Sequence, residues 1–136
     1  MAWNIEVNET RKRSEIQDTY GGQRYGGIAT PTGSDNILIF TDPTAGAEYG
    51  YDKHEGQGPD GTYYFTGAGQ RGDMELSGVN KVMFDSPTTG KIIRLFLAES
   101  PNATYKGSFT LADEPYSFEQ APDVDGNIRR VIVFNL

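Results

Sequence analysis

The sequence has no cysteine and one histidine, His54, among its 136 residues. The first absence excludes a disulfide scaffold, a thiol nucleophile and every cysteine-based zinc site. The second removes most histidine-dependent catalytic and metal arrangements. No apolar run, such as Ile37–Phe40 or Val131–Phe134, approaches the ~20 residues of a membrane span. No basic segment leading into an apolar one opens the chain, so no secretory signal is read. The glycosylation patterns at Asn8 and Asn102 are therefore taken as chance, and a cytoplasmic domain of bacterial style is expected.

Positive charge is also in short supply, with 12 Lys and Arg against 19 Asp and Glu, a net −7. Phosphate affinity comes from Lys and Arg, so composition argues weakly against nucleic acid. The deficit is uneven. Arg11, Lys12, Arg13 and Arg24 balance the acids of the first thirty residues, and the excess lies beyond them.

What the chain does have is 17 glycines, 8 tyrosines and 36% apolar residues. That is too aromatic for a disordered chain and too rich in turns for a helix bundle. The length suits one domain over 1–136. Strands are read at Asn36–Thr41, Thr62–Thr66, Lys91–Leu97, Tyr105–Leu111, Pro115–Glu119 and Arg129–Asn135, each bounded by turn residues. Two short helices are expected, Asn8–Asp18 capped by Asn8 and Asp73–Phe84 capped by Asp73. The fold class is α+β, a curved, barrel-like sheet with one or two short helices. Tyr20–Gly27 (YGGQRYGG) reads as a tight turn entering a strand at Ile28.

The densest chemistry runs from Tyr49 to Asp73, where Tyr51, Tyr63, Tyr64 and Phe65 alternate with Asp52, His54, Glu55 and Asp60 before Gly67-Ala68-Gly69. Aromatic rings stack on planar ligands, carboxylates accept from exocyclic amines, and glycine backbone offers unobstructed polar groups. Side chains alternate along a strand, so in TYYFT one of the two faces is ordinary packing.

In order along the chain, several segments resemble the SRA (SET and RING associated, or YDG) domain, in its compact bacterial form. They are Arg24-Tyr25-Gly26-Gly27-Ile28, Ile37–Phe40, Gly50-Tyr51-Asp52, Phe65-Thr66-Gly67-Ala68-Gly69, Gly78-Val79-Asn80-Lys81-Val82, Ile93-Arg94-Leu95-Phe96, Tyr105-Lys106-Gly107 and Arg129–Phe134. The likeness covers roughly residues 20–136. It implies a reader of modified cytosine in duplex DNA, which extrudes the base into a pocket. Carried over, Tyr51 and Phe65 sandwich the base, Thr66 and Gly67 contact its edge, and a carboxylate accepts from its N4 amine. Asp52 is favoured for that carboxylate, with Asp60 the alternative. Flipping costs a few kcal/mol, and one stacked ring returns ~1–3 kcal/mol, so a second ring and the hydrogen bonds must supply the margin.

The chain departs from the family pattern. Phe65 stands where Tyr is usual, His54 occupies the expected carboxylate position, and Lys106 replaces the acid of Tyr-Asp-Gly. The segments 84–90 and 99–105 are short, which disfavours long groove-probing loops. Contacts to the DNA backbone are expected from Arg24, Arg71, Lys53 and Lys81, with Arg11, Lys12 and Arg13 as further candidates. Asp123-Val124-Asp125-Gly126-Asn127 lacks the terminal glutamate of a calcium loop and reads as a hairpin turn.

The expectation is a non-catalytic specificity domain without cofactor or metal, excised from a modification-dependent restriction endonuclease with an HNH nuclease in cis. A carbohydrate or small-ligand binding module and a purely structural protein are the alternatives.

Overall fold

The computed structural model describes residues 3–23, 27–41, 56–57, 62–69, 72–99, 101–123 and 125–136. Two compact units are interleaved in sequence, one from residues 1–42 and 85–110, the other from 43–84 and 111–136.

The first unit is built on a five-stranded sheet. Its strands are β1 (Thr10–Lys12), β2 (Ile28–Ala29), β3 (Asn36–Thr41), β6 (Ile92–Glu99) and β7 (Asn102–Phe109), ordered β1-β7-β6-β3-β2. β3 and β6 run parallel, and the other pairs are antiparallel. Every residue of β3 is buried, as its near-continuous apolar run requires. Between Leu95 and Phe96 the register with β7 slips, so that Leu95 faces Gly107 and Phe96 faces Tyr105. Lys106 is thus the extra residue of a bulge. Its ammonium donates to Asn8 Oδ1 at 3.2 Å, in keeping with a structural role for this segment.

Helix α1 (Arg13–Tyr20) lays Ile16 and Tyr20 into a core with Ile5, Leu38, Phe40, Phe96 and Tyr105. The Phe40 and Phe96 rings stack at 5.0 Å. The helix starts four residues later than an Asn8 cap would place it, with Lys12 at the N-cap position. Asn8 has φ +72° and its N–H donates to Tyr105 C=O, so it serves the sheet rather than capping a helix.

The second unit holds an antiparallel four-stranded sheet of β4 (Gly56–Gln57), β5 (Tyr63–Thr66), β9 (Ile128–Asn135) and β8 (Tyr116–Pro122), in that order. The nine described strands therefore form two sheets, an α+β fold with no closed barrel among the described residues. Helix α2 spans Gly78–Thr89. Asp73 does not cap it: its carboxylate accepts the Arg130 N–H at 2.7 Å, and the helix begins beyond, after Ser77. At the other end Gly90, at φ +77°, donates to Ser86 C=O, a left-handed stop that favours glycine. Among the described residues, no helix is long and apolar enough to cross a membrane.

Candidate functional site

The second unit sets the Phe65–Gly69 motif at the end of β5, where the strand leaves the sheet. Phe65 lies opposite Phe134 and Thr66 opposite Val133. Both are buried, at 2% and 3% exposure. Gly67 then donates to Ile132 C=O at 2.7 Å, which holds the chain against β9 as it turns.

The turn is gripped from α2. Asn80, 4% exposed, accepts the Ala68 N–H on Oδ1 at 2.8 Å. Its Nδ2 donates to the carbonyls of Ala68, at 3.0 Å, and Glu75, at 3.1 Å. A Cβ on Gly67 would stand 2.8 Å from Asn80 Oδ1 and 3.3 Å from the Phe134 ring. Glycine is therefore required by the close approach of the helix side chain.

A second grip comes from β9. Arg129, buried, donates from Nη1 to the carbonyls of Gly69 and Gly72, each at 3.0 Å, and so bridges the segment between them. Asp123 receives the N–H groups of Asp125 and Asn127 on Oδ1 and that of Gly72 on Oδ2. Burial alone would raise its carboxyl. The N–H donors of Asn127, Gly72 and Asp125, helped by the Arg129 guanidinium, outweigh that and hold it below the ordinary carboxylate value. The Asp123–Asn127 segment is a turn, as read, closed by Gly126 donating to Asp123 C=O.

The Thr66 hydroxyl stands out in this frame. Thr66 Oγ1 is buried and has no hydrogen-bond partner among the described residues. A buried hydroxyl without a partner costs about 1–3 kcal/mol, so such atoms point to strain, an unplaced water or a ligand.

Of the expected pocket residues, the structure brings Phe65, Thr66 and Gly67 together on this clamped turn; Tyr51, Asp52 and Asp60 lie outside the described residues. So do Arg24, Arg71 and Lys53. Lys81, next to Asn80 on α2, is exposed. Arg13 is committed within its own unit: it donates to Gln17 Oε1 and Gln23 C=O and stacks 4.1 Å over the Phe40 ring. Burial lowers its pKa from the ordinary guanidinium value. Arg11 pairs with Glu9.

Sequence reasoning missed Arg129 and Asp123 as supports of the turn. A buried arginine inside an apolar strand is the signal that would have found the first.

With this geometry in hand, the family model described as ScoMcrA-like, SRA domain, matches residues 7–136. The chain belongs to the ScoMcrA-like SRA domains. The match is to a DNA-binding module and not to a catalytic one.

Solved structures agree on the SRA fold. The chain is similar to the sulfur binding domain and SRA domain of ScoMcrA complexed with phosphorothioated DNA, with TM-score 0.73, 22% identity, and coverage of 97% of this chain and 39% of that one. It is similar to the type IV phosphorothioation-dependent restriction endonuclease ScoMcrA, with TM-score 0.74, 21% identity, and coverage of 97% and 26%. It also resembles the SUVH5 SRA domain complexed with methylated CHH DNA, with TM-score 0.66, 19% identity, and coverage of 96% and 86%. This SRA chain thus spans well under half of the two ScoMcrA chains. No curated protein matches its sequence.

Proposed function

We propose that this SRA domain binds duplex DNA carrying a 5-modified cytosine and draws the modified base out of the helix. Tyr51 and Phe65 hold the base on its two faces, Thr66 and Gly67 meet its edge, and Asp52 or Asp60 accepts from its N4 amine. The observation that supports this reading best is the Thr66 hydroxyl, buried without a partner among the described residues, at the start of a turn clamped from two sides. A rigid turn offering one unfilled hydrogen-bonding group suits recognition of a polar edge. It aims that group without the cost of ordering it on binding.

Phe65 sets a condition on the proposal. At 2% exposure its face is closed to solvent, so a base reaches it only when its cover gives way, a cost added to that of extrusion. Modified DNA in the complexes of related SRA structures, methylated, hydroxymethylated or phosphorothioated, sets the choice of probes. The contacts to the backbone are assigned to Arg24, Arg71, Lys53 and Lys81, and the domain acts as the specificity part of a modification-dependent restriction endonuclease with a nuclease, of HNH type, in cis. Membership in the SRA family favours this reading over the carbohydrate or small-ligand module.

Gel-shift titration with matched duplexes tests it: 5-methylcytosine, 5-hydroxymethylcytosine, phosphorothioate and unmodified. Tighter binding of a cytosine-modified duplex is expected. Preference for the phosphorothioate duplex alone, or equal binding of all four, rejects the base reading.

A further inference from the structure

The first unit contains a cleft of about 420 Å³ at the N-terminal ends of the parallel strands β3 and β6. That volume lies within the ~300–1,000 Å³ common for small-ligand pockets. Thr19, Thr32, Ser34, Asp35 and Arg94 line it, beside the Trp3 ring.

Arg94 dominates its chemistry. Nε donates to Asn36 Oδ1 at 3.1 Å, Nη1 donates to the Tyr105 hydroxyl at 3.0 Å, and the guanidinium carbon lies 4.4 Å from the Trp3 ring centroid. A guanidinium carries five N–H donors. These contacts use two of them, on neutral acceptors. Among the described residues Arg94 has no carboxylate in ion-pair range, although it is half-buried. A half-buried cation with no counter-charge in ion-pair range among the described residues favours binding of an anion. Its planar fork suits phosphate oxygens, and the three hydroxyls of the wall add donors around it. Asp35 is exposed at the rim and opposes a second negative charge.

We propose that this cleft is a second binding site, one that takes a phosphate group at Arg94. The phosphate comes from a small phosphorylated molecule or from the backbone of bound DNA. The proposal does not depend on the modified-base reading, because none of its residues belongs to that site.

Trp3 is the sole tryptophan and touches the guanidinium, so its fluorescence reports on the cleft. The full chain is titrated with inorganic phosphate, against chloride at equal ionic strength. A saturable change in Trp3 emission is expected with phosphate alone. Arg94→Gln weakens it by more than about tenfold, the worth of a charged hydrogen bond. Asp35→Asn removes the opposing charge and tightens it severalfold, which keeps the test decisive if Arg94→Gln misfolds. Displacement by unmodified duplex assigns the phosphate to DNA, and no displacement assigns it to a small molecule. A linear response in the native chain, or a native affinity unchanged in both variants, overturns the proposal.

Discussion

Asn80 and the Ala68 peptide are joined in both directions, the side-chain carbonyl accepting at 2.8 Å and the amide donating at 3.0 Å. Twelve residues separate them, and this one side chain fixes the turn after β5 relative to α2. Asn80→Ala leaves the half-buried Ala68 N–H and the Ala68 and Glu75 carbonyls short of a partner. A loss of about 1–3 kcal/mol is expected, the cost of a single fully buried orphaned group, because Ala68 is only half-buried and Glu75 is exposed; it is read as a lower urea midpoint. Affinity for modified duplex falls with it.

Gly67→Ala tests the same approach from the other side. The new Cβ meets Asn80 Oδ1 at 2.8 Å, and overpacking of this kind costs about 1–3 kcal/mol. Combined with Asn80→Ala the penalty shrinks, because the clashing atom is gone. A double-mutant cycle by urea unfolding measures that coupling.

Thr66→Val separates folding from recognition. It removes a buried hydroxyl that has no partner among the described residues, so stability rises by about 1 kcal/mol, the lower end of the cost of an unsatisfied group. Binding of the modified duplex weakens at the same time. A side chain with a purely structural role would not move the two in opposite directions.

Asp123 gives the turn a dependence on acid. Its carboxyl lies below the ordinary value in the folded chain, so its stabilising effect is complete above the unfolded pKa of about 3.9. The effect is lost as pH falls from there through the lowered folded value. Thermal unfolding between neutral pH and pH 2.5 shows this as a falling midpoint, and Asp123→Asn flattens that part of the profile.

Lys81 is exposed on α2 one residue from the clamp. Lys81→Ala is expected to weaken modified and unmodified duplexes equally and to make the slope of log K against log salt shallower by about 0.9. Fluorescence anisotropy over a range of salt concentrations reads both.

The strands β3, β6 and β9 were legible because each is a long apolar run bounded by turns. β1, β2 and β4, of two or three residues, are held by tertiary pairing and leave no periodic trace. Both helix starts were misplaced for one reason: Asn8 and Asp73 are good caps in isolation, yet here they serve β7 and β9. At the site, the Phe65–Gly69 motif was visible as a segment. Its supports were not, because Asn80, Arg129 and Asp123 reach it across 12 to 60 residues.

The central claim is that a modified cytosine leaves the duplex and stacks at Phe65. A fluorescent base analogue placed beside one 5-methylcytosine reports unstacking directly as the domain is titrated. Emission is predicted to rise on binding to the methylated duplex, to stay flat with its unmodified twin, and to be lost in Tyr51→Ala. Tight binding with flat emission on the methylated duplex would contradict it.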